Sequence, residues 1–341
     1  MVTVSAVIPT RGRPELLRRA VRSALAQTLR DIEVVVVIDG PDPATHLVLQ
    51  ELAQQDGRLR VLALPSSVGG SDARNRGVDA AVGEWIAFLD DDDEWLPGKL
   101  QAQLDAVCAA TAPVLIGTCR MIARTPGRDY VWPRRMPAGD EQIGEYLLAR
   151  RSLTRGEGYI QTSTFFVRRC LMLAQPFKSG QLKHQDTEWV LRMGRVPGTQ
   201  VVFAEQVLAI HNIEEERVTV SGKSNWRYSL AWVRRDRHLF TPRALSGFVL
   251  YQIASEASDQ GQWRAFPLLL SEALRHGSST PRDYAIFLAI WLLPRRRRRR
   301  LRDWLARRPA LGALVHALLG FCSSRGSFCL PRGAWRVSSK V

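Results

Sequence analysis

Four consecutive aspartates, Asp90 to Asp93, stand between the apolar run "EWIAFL" (84–89) and a helix-like stretch that opens near Pro97. Carboxylates this close repel one another at neutral pH, so an arrangement in which a cation shares them is favoured over bare charges. Hard divalent ions such as Mg²⁺ and Mn²⁺ take oxygen ligands and commonly keep only one or two carboxylates, because phosphates and water fill the rest of the shell. An Asp-x-Asp at the end of a buried strand can supply one direct ligand and one residue that reaches a ribose or a metal-bound water. Asp93 and Glu94 suit a different duty, capping and charge-matching the following helix.

Other chemistry-bearing residues sit where apolar runs end. Asp39 closes "IEVVVVI" (32–38) and is either a turn aspartate before Gly40 and Pro41 or an acceptor for a nucleobase N–H. A dinucleotide-binding fold also places an acid there, but it needs G-x-G-x-x-G after its first strand, and "PTRGRPEL" offers a single glycine. "VGGSDARNRG" (68–77) pairs glycines with a helix start whose N–H groups can face a phosphate, and Arg74 adds charge.

The elements that must position these residues alternate through the first half. Strand patterns at 3–8, 32–38, 59–64, 84–89 and 113–119 are separated by helical patterns at 14–27, 43–55, 71–82 and 97–109. Such alternation predicts an α/β fold with a Rossmann-like, doubly wound, mainly parallel sheet. Ligands of such sheets bind beyond the carboxyl ends of the strands, where the acids and glycines above lie. After about residue 120 the alternation stops. A loop and short helix precede a strand entering a helix at 159–172, an amphipathic helix at 182–195 and a strand at 199–211, and residues 226–290 read as largely helical.

Composition narrows the class. The chain has 341 residues and a formal net charge of +15, which favours an anionic partner. Its five cysteines are scattered with no C-x-x-C, which argues against a disulfide framework or zinc ribbon. No signal-peptide pattern and no uncharged apolar run of ~18–20 residues occurs, so a cytoplasmic protein is expected.

Taken in order, "AVIPTRGRPELLRRAVRSALAQT", "VVVVIDG", "ARNRGVDAAVGEWIAFLDDDDEW" and "HQDTEWVLRMG" resemble the inverting family 2 glycosyltransferases of GT-A fold, over roughly residues 3–215. The resemblance implies a nucleotide-diphosphate-sugar donor and a divalent cation, Mn²⁺ or Mg²⁺. It implies that Pro9 and Thr10 border the nucleotide and that Asp39 binds the base. Arg74 would lie near the diphosphate, Asp90-x-Asp92 would be the Asp-x-Asp motif with Asp92 on the metal, and Asp186 would be the catalytic base. His211 matches a position at which relatives place a histidine facing the metal or diphosphate; a solvent-exposed turn histidine is the other reading. Arg11 stands where many relatives have an aromatic residue, and the run of aspartates leaves Asp91 open between nucleotide and metal. The Q-x-x-R-W motif of processive synthases is absent, which favours addition of a single sugar to a glycan or lipid-linked acceptor. The implied organisation is a GT-A domain over 1–220, with a nucleotide half to about 120 and an acceptor half to 220. A helical extension over 221–290 and a basic tail over 291–341 follow.

That tail holds six successive arginines at 295–300, with Arg302, Arg307 and Arg308 close behind and short apolar pieces on either side. Such a segment suits an anionic membrane surface, which would make the protein peripheral on the inner face of the cell membrane. A solvated basic face is the plainer reading, and no nucleic-acid motif accompanies the charge. Two rival functions share the acidic strand ends: a nucleotidyltransferase, and a catalytically silent nucleotide-sugar-binding or membrane-adaptor protein.

Overall fold

The computed structural model describes residues 2–152, 156–213, 225–293 and 297. β1 (Val4–Thr10), α1 (Pro14–Leu25), β2 (Ile32–Ile38), α2 (Pro43–Gln55), β3 (Leu59–Ala63), α3 (Gly70–Ala80) and β4 (Trp85–Phe88) form the alternating half. Each crossover helix returns the chain, so β3, β2, β1 and β4 lie side by side and parallel. The β-branched run of β2 is buried on both faces because its period of two serves two helix layers. Val34, Val36 and Ile38 pack with Leu17 and Val21 of α1, whereas Val35 and Val37 meet Ala73 of α3 on the opposite face.

The second half is mixed. β5 (Glu94–Trp95), α4 (Lys99–Cys108), β6 (Val114–Arg124), β7 (Asp129–Trp132), α5 (Ile143–Leu148), β8 (Phe166–Arg168), α6 (Arg169–Ala174), α7 (Gln185–Met193) and β9 (Thr199–Asn212) complete a nine-stranded sheet ordered β3-β2-β1-β4-β8-β6-β9-β5, with β7 on β6. β8 pairs antiparallel to β4 on one side and to β6 on the other, and β6 runs parallel to β9. The sequence led to a shorter β6 ending at Cys119 and no strand at 129–132. Arg120 interrupts the apolar run, but it falls at an irregularity in the β6–β9 ladder, beyond which β6 pairs both β9 and β7. β5 has only two residues, below what periodicity can register.

Helices α8 (Trp226–Arg235), α9 (Pro242–Gly247), α10 (Ala254–Asp259), α11 (Ala265–His276) and α12 (Pro281–Leu292) follow, with a π-helical stretch at Phe248–Ile253 joining α9 to α10. Their buried residues, Trp232, Phe248, Tyr251 and Phe287 among them, form one apolar cluster that also takes in Leu191 of α7. Among the described residues no helix is long and apolar enough to cross a membrane. Apart from Arg297, the Arg-rich segment lies outside the described residues.

Candidate active site

The acids are delivered by the end of β4. Leu89 is fully buried, and the chain then turns tightly, the Asp93 N–H donating to the Asp90 carbonyl at 3.1 Å, before β5 pairs with β9. One oxygen from each of Asp90, Asp92 and Asp93 lies within 4.8 Å of the others. Asp91 points elsewhere: its carboxylate accepts from Thr10 Oγ1 at 2.9 Å and from Arg13 Nη1 at 3.1 Å. Burial pushes the Asp91 pKa above the ordinary carboxylate value, against the pull of Arg13. Arg13 also reaches Asp92 Oδ2 at 3.2 Å.

Asp93 is not a helix cap. α4 begins at Lys99 after Gly98 with no side-chain cap, and the Asp93 side chain is fully buried beneath the other acids. Oδ2 accepts from Ser163 Oγ at 2.7 Å and Gln161 Nε2 at 3.0 Å, while Oδ1 receives His211 Nδ1 at 3.0 Å and the Asn212 N–H at 3.2 Å. A buried carboxylate needs such partners, and these occupy both oxygens. Glu94 instead pairs with Arg19 at 3.1 Å. Asp90 and Asp92, the two members of that acidic trio that are not fully buried, are then the carboxylates best exposed to an ion, and His211 stands against the third. An all-carboxylate set of this kind fits Mn²⁺ or Mg²⁺. A histidine whose Nδ1 is held by a carboxylate is oriented as metal-binding histidines are. Burial works against charging His211, but the Asp93 carboxylate beside it raises its pKa above the usual histidine value.

On the other side, Arg74 of α3 donates to Asp90 Oδ1 at 2.5 Å and to Gln185 Oε1 at 2.8 Å. Gln185 opens α7 and Asp186 follows it, so this guanidinium links the β4 acids to the "HQD" segment. The Asp186 carboxylate accepts from the Thr187 N–H at 2.7 Å. Its pKa is nevertheless raised, first by burial and then by the charge of Asp90.

Asp39, at the end of β2, accepts from Ser67 Oγ at 2.8 Å and from the N–H groups of Val68 and Gly69 at 2.6 and 3.1 Å, so its carboxylate closes the loop between β3 and α3. Gly40 makes that closeness feasible. It has φ +100°, and a Cβ there would stand 3.0 Å from the Ser67 nitrogen. Arg11, at the mouth of the same loop, donates to Ser67 Oγ at 2.8 Å. Pro9 pairs with Val37 just before Thr10 at the β1 end. Thus Thr10, Arg74, Asp90, Asp91, Asp92 and His211 share one bonded rim with Asp186 beside it, and Asp39 and Arg11 share a neighbouring loop. Sequence reasoning missed Arg13, Asp93, Gln161, Ser163 and Gln185. The polar quartet 161–164 within the otherwise apolar "YIQTSTFFV" carried a usable signal for Gln161 and Ser163.

A match to the family described as Glycosyl transferase family 2 covers residues 5–173. The chain carries a family 2 glycosyltransferase domain. This glycosyltransferase is 25% identical over 258 residues to the amylovoran biosynthesis glycosyltransferase AmsB of Erwinia amylovora, a match covering 74% of this chain and 83% of that one. It is 34% identical over 120 residues to the GalNAc(5)-diNAcBac-PP-undecaprenol beta-1,3-glucosyltransferase of Campylobacter jejuni, covering 35% of this chain but only 38% of that relative. Among solved structures, S. aureus TarS 1-349 in complex with UDP-GlcNAc matches with a TM-score of 0.55 and 16% identity over 83% of each chain. The mannosyltransferase PcManGT from Pyrobaculum calidifontis, in complex with GDP-Man and Mn²⁺, matches with a TM-score of 0.53 and 16% identity, covering 92% of this chain and 86% of that one. At such identities the structural likeness concerns the fold of the glycosyltransferase, which is GT-A.

Proposed function

We propose that the enzyme moves a single sugar, with inversion, from a nucleotide-diphosphate-sugar to a hydroxyl of a glycan or lipid-linked intermediate of a surface or exported polysaccharide. The observation that carries this reading is Asp186, a carboxylate of raised pKa at the start of α7, joined through Gln185 and Arg74 to the β4 acids. Proton abstraction is most effective when the base has a pKa lifted towards working pH. Asp186 takes the proton of the acceptor hydroxyl as that oxygen bonds to the anomeric carbon, and the carbon–oxygen bond to the diphosphate breaks on the opposite side. Asp39, Pro9, Thr10 and Arg11 border the nucleoside, Asp90 and Asp91 the ribose side, and Arg74 the diphosphate. A Mn²⁺ or Mg²⁺ ion held by Asp92 and His211 would stabilise charge on the leaving diphosphate.

The names of the two relatives, one a polysaccharide biosynthesis enzyme and one acting on an undecaprenol-linked glycan, support an acceptor of this class. Attachment to an anionic leaflet is supported by the arginines at 295–300. It is also supported by α12, which ends beside them with Leu288 and Leu292 exposed. Trp263, also exposed, has its ring 5.2 Å from Trp291 of the same helix. Tryptophan and leucine beside basic residues suit a headgroup interface.

The test is a panel of nucleotide-sugars with Mn²⁺, read as nucleoside diphosphate release, on wild type and Asp186→Asn. The variant is expected to lose ~10²–10⁴ in kcat while binding donor as before. Retained turnover would remove Asp186 from the chemistry.

A further inference from the structure

The residue before Gln185 is held in an unusual way. His184 has φ 64°, and among the described residues no other non-glycine backbone is left-handed. A side chain in that region needs outside support. Its supports come from the helices after residue 225. The His184 ring stacks on Trp232 at 4.8 Å and meets the edge of Phe248 at 5.0 Å. Its Nε2 lies 2.8 Å from Ser229 Oγ of α8, and that hydroxyl donates to Glu256 Oε2 of α10 at 3.2 Å. Burial keeps the His184 ring neutral, lowering its pKa to about 3.

The other oxygen of Glu256 accepts from Lys183 Nζ at 2.5 Å, a pair in which both side chains are mostly buried. The Leu182 N–H donates to the Tyr228 hydroxyl at 3.1 Å, and Arg235 reaches Gln181 Oε1 at 3.2 Å. Four successive residues, Gln181 to His184, are therefore gripped by α8, α10 and the residues between. The next, Gln185, passes the constraint to Arg74 and Asp90.

We propose that Ser229 and Glu256 are positioning residues that clamp segment 181–184 and so aim the Asp186 carboxylate at the acceptor hydroxyl. The proposal rests on the reading of Asp186 as the base. The helices after residue 225 then act as part of the reaction centre, since a carboxylate displaced by about 1 Å loses on the order of 10²-fold in rate.

The experiment compares wild type, Glu256→Gln, Ser229→Ala and Glu272→Gln. Glu272 belongs to the same helices and pairs with Arg234 and Arg237, with no bond to segment 181–184. UDP-GlcNAc and GDP-mannose with Mn²⁺ serve as probes, read as UDP or GDP release and as donor-induced thermal shift. Amide hydrogen exchange is followed across residues 181–193. Glu256→Gln and Ser229→Ala are expected to lower kcat about 10–100-fold, to leave the donor-induced shift in place, and to speed exchange in 181–193. Glu272→Gln should do neither. Unchanged kcat and exchange in Glu256→Gln and Ser229→Ala would overturn the clamp, as would equal losses in Glu272→Gln. If wild type released no nucleotide from either donor, the clamp would be judged on exchange alone: faster exchange confined to Glu256→Gln and Ser229→Ala upholds it, and unchanged exchange overturns it. Turnover that survives Asp186→Asn would sink the catalytic reading and leave the clamp as a structural feature.

Discussion

At the residue scale the four aspartates divide by what surrounds each. Asp90 faces Arg74 and Gln161, Asp91 turns to Thr10 and Arg13, and Asp92 lies on the rim, while Asp93 sinks beneath them to hold His211. The sequence marked the run and its chemistry, because the end of an apolar strand is legible. It could not rank the members, because the partners that bury Asp93 come from residues 68 to 119 positions away. Asp93→Asn should separate support from ligation. An amide nitrogen in place of one oxygen would confront buried donors with a donor, which should cost about 1–3 kcal/mol in urea unfolding without metal. Losing the hold on His211 should also weaken Mn²⁺ binding ~10–100-fold by calorimetry. An unchanged Mn²⁺ affinity would take His211 out of the ion's shell.

At the element scale the alternating half was readable almost to the residue. The near-continuous apolar runs of β1 and β2, proline at the start of α1 and α2, and the glycines before α3 are local signals. β7, β5 and the full length of β6 were not, because their pairing depends on strands distant in sequence rather than on their own periodicity. Gly77 shows how tightly the readable half is packed. On α3, a Cβ at this position would fall 2.3 Å from Val7 Cγ1 and 3.1 Å from Val37 Cγ2. Alanine gains up to about 1 kcal/mol in helix propensity, but driving α3 off β1 and β2 costs about 1–3 kcal/mol, so packing should win. Gly77→Ala is expected to lower the denaturant midpoint with the slope unchanged; a midpoint at or above wild type would show that α3 can shift freely.

For the whole molecule, the joining of the helical unit to the sheet should depend on pH. The buried His184 ring is held neutral, with its pKa lowered from 6.5 to about 3. The unfolded chain takes up that proton near pH 6.5 and the folded chain does not, so stability is full above 6.5 and falls as pH drops from there toward 3. His211, with its raised pKa, contributes in the opposite sense. The difference between wild type and His184→Gln isolates the first effect: the variant's urea midpoint should decline less steeply from pH 7 to pH 5. The basic tail predicts a separate whole-chain property. Binding to phosphatidylserine vesicles should weaken as salt rises, at about 1 kcal/mol per basic residue near the surface, and a chain ending at Leu293 should lose it in a sedimentation assay. Equal binding by the shortened chain would place the contact elsewhere.

Among the described residues of the sheet, the parallel and mixed halves meet through β8, three residues long, whose Phe166 carbonyl would lie 2.9 Å from a Cβ at Gly117. Just beyond that narrow strap, Ser163 and Gln161 bond to the acids of one half, and Asp93 bonds to the last residues of β9 in the other. The polar cluster therefore works as a rivet between the two halves. On the proposed reading, an ion and a diphosphate seated there would stiffen the seam between two plates.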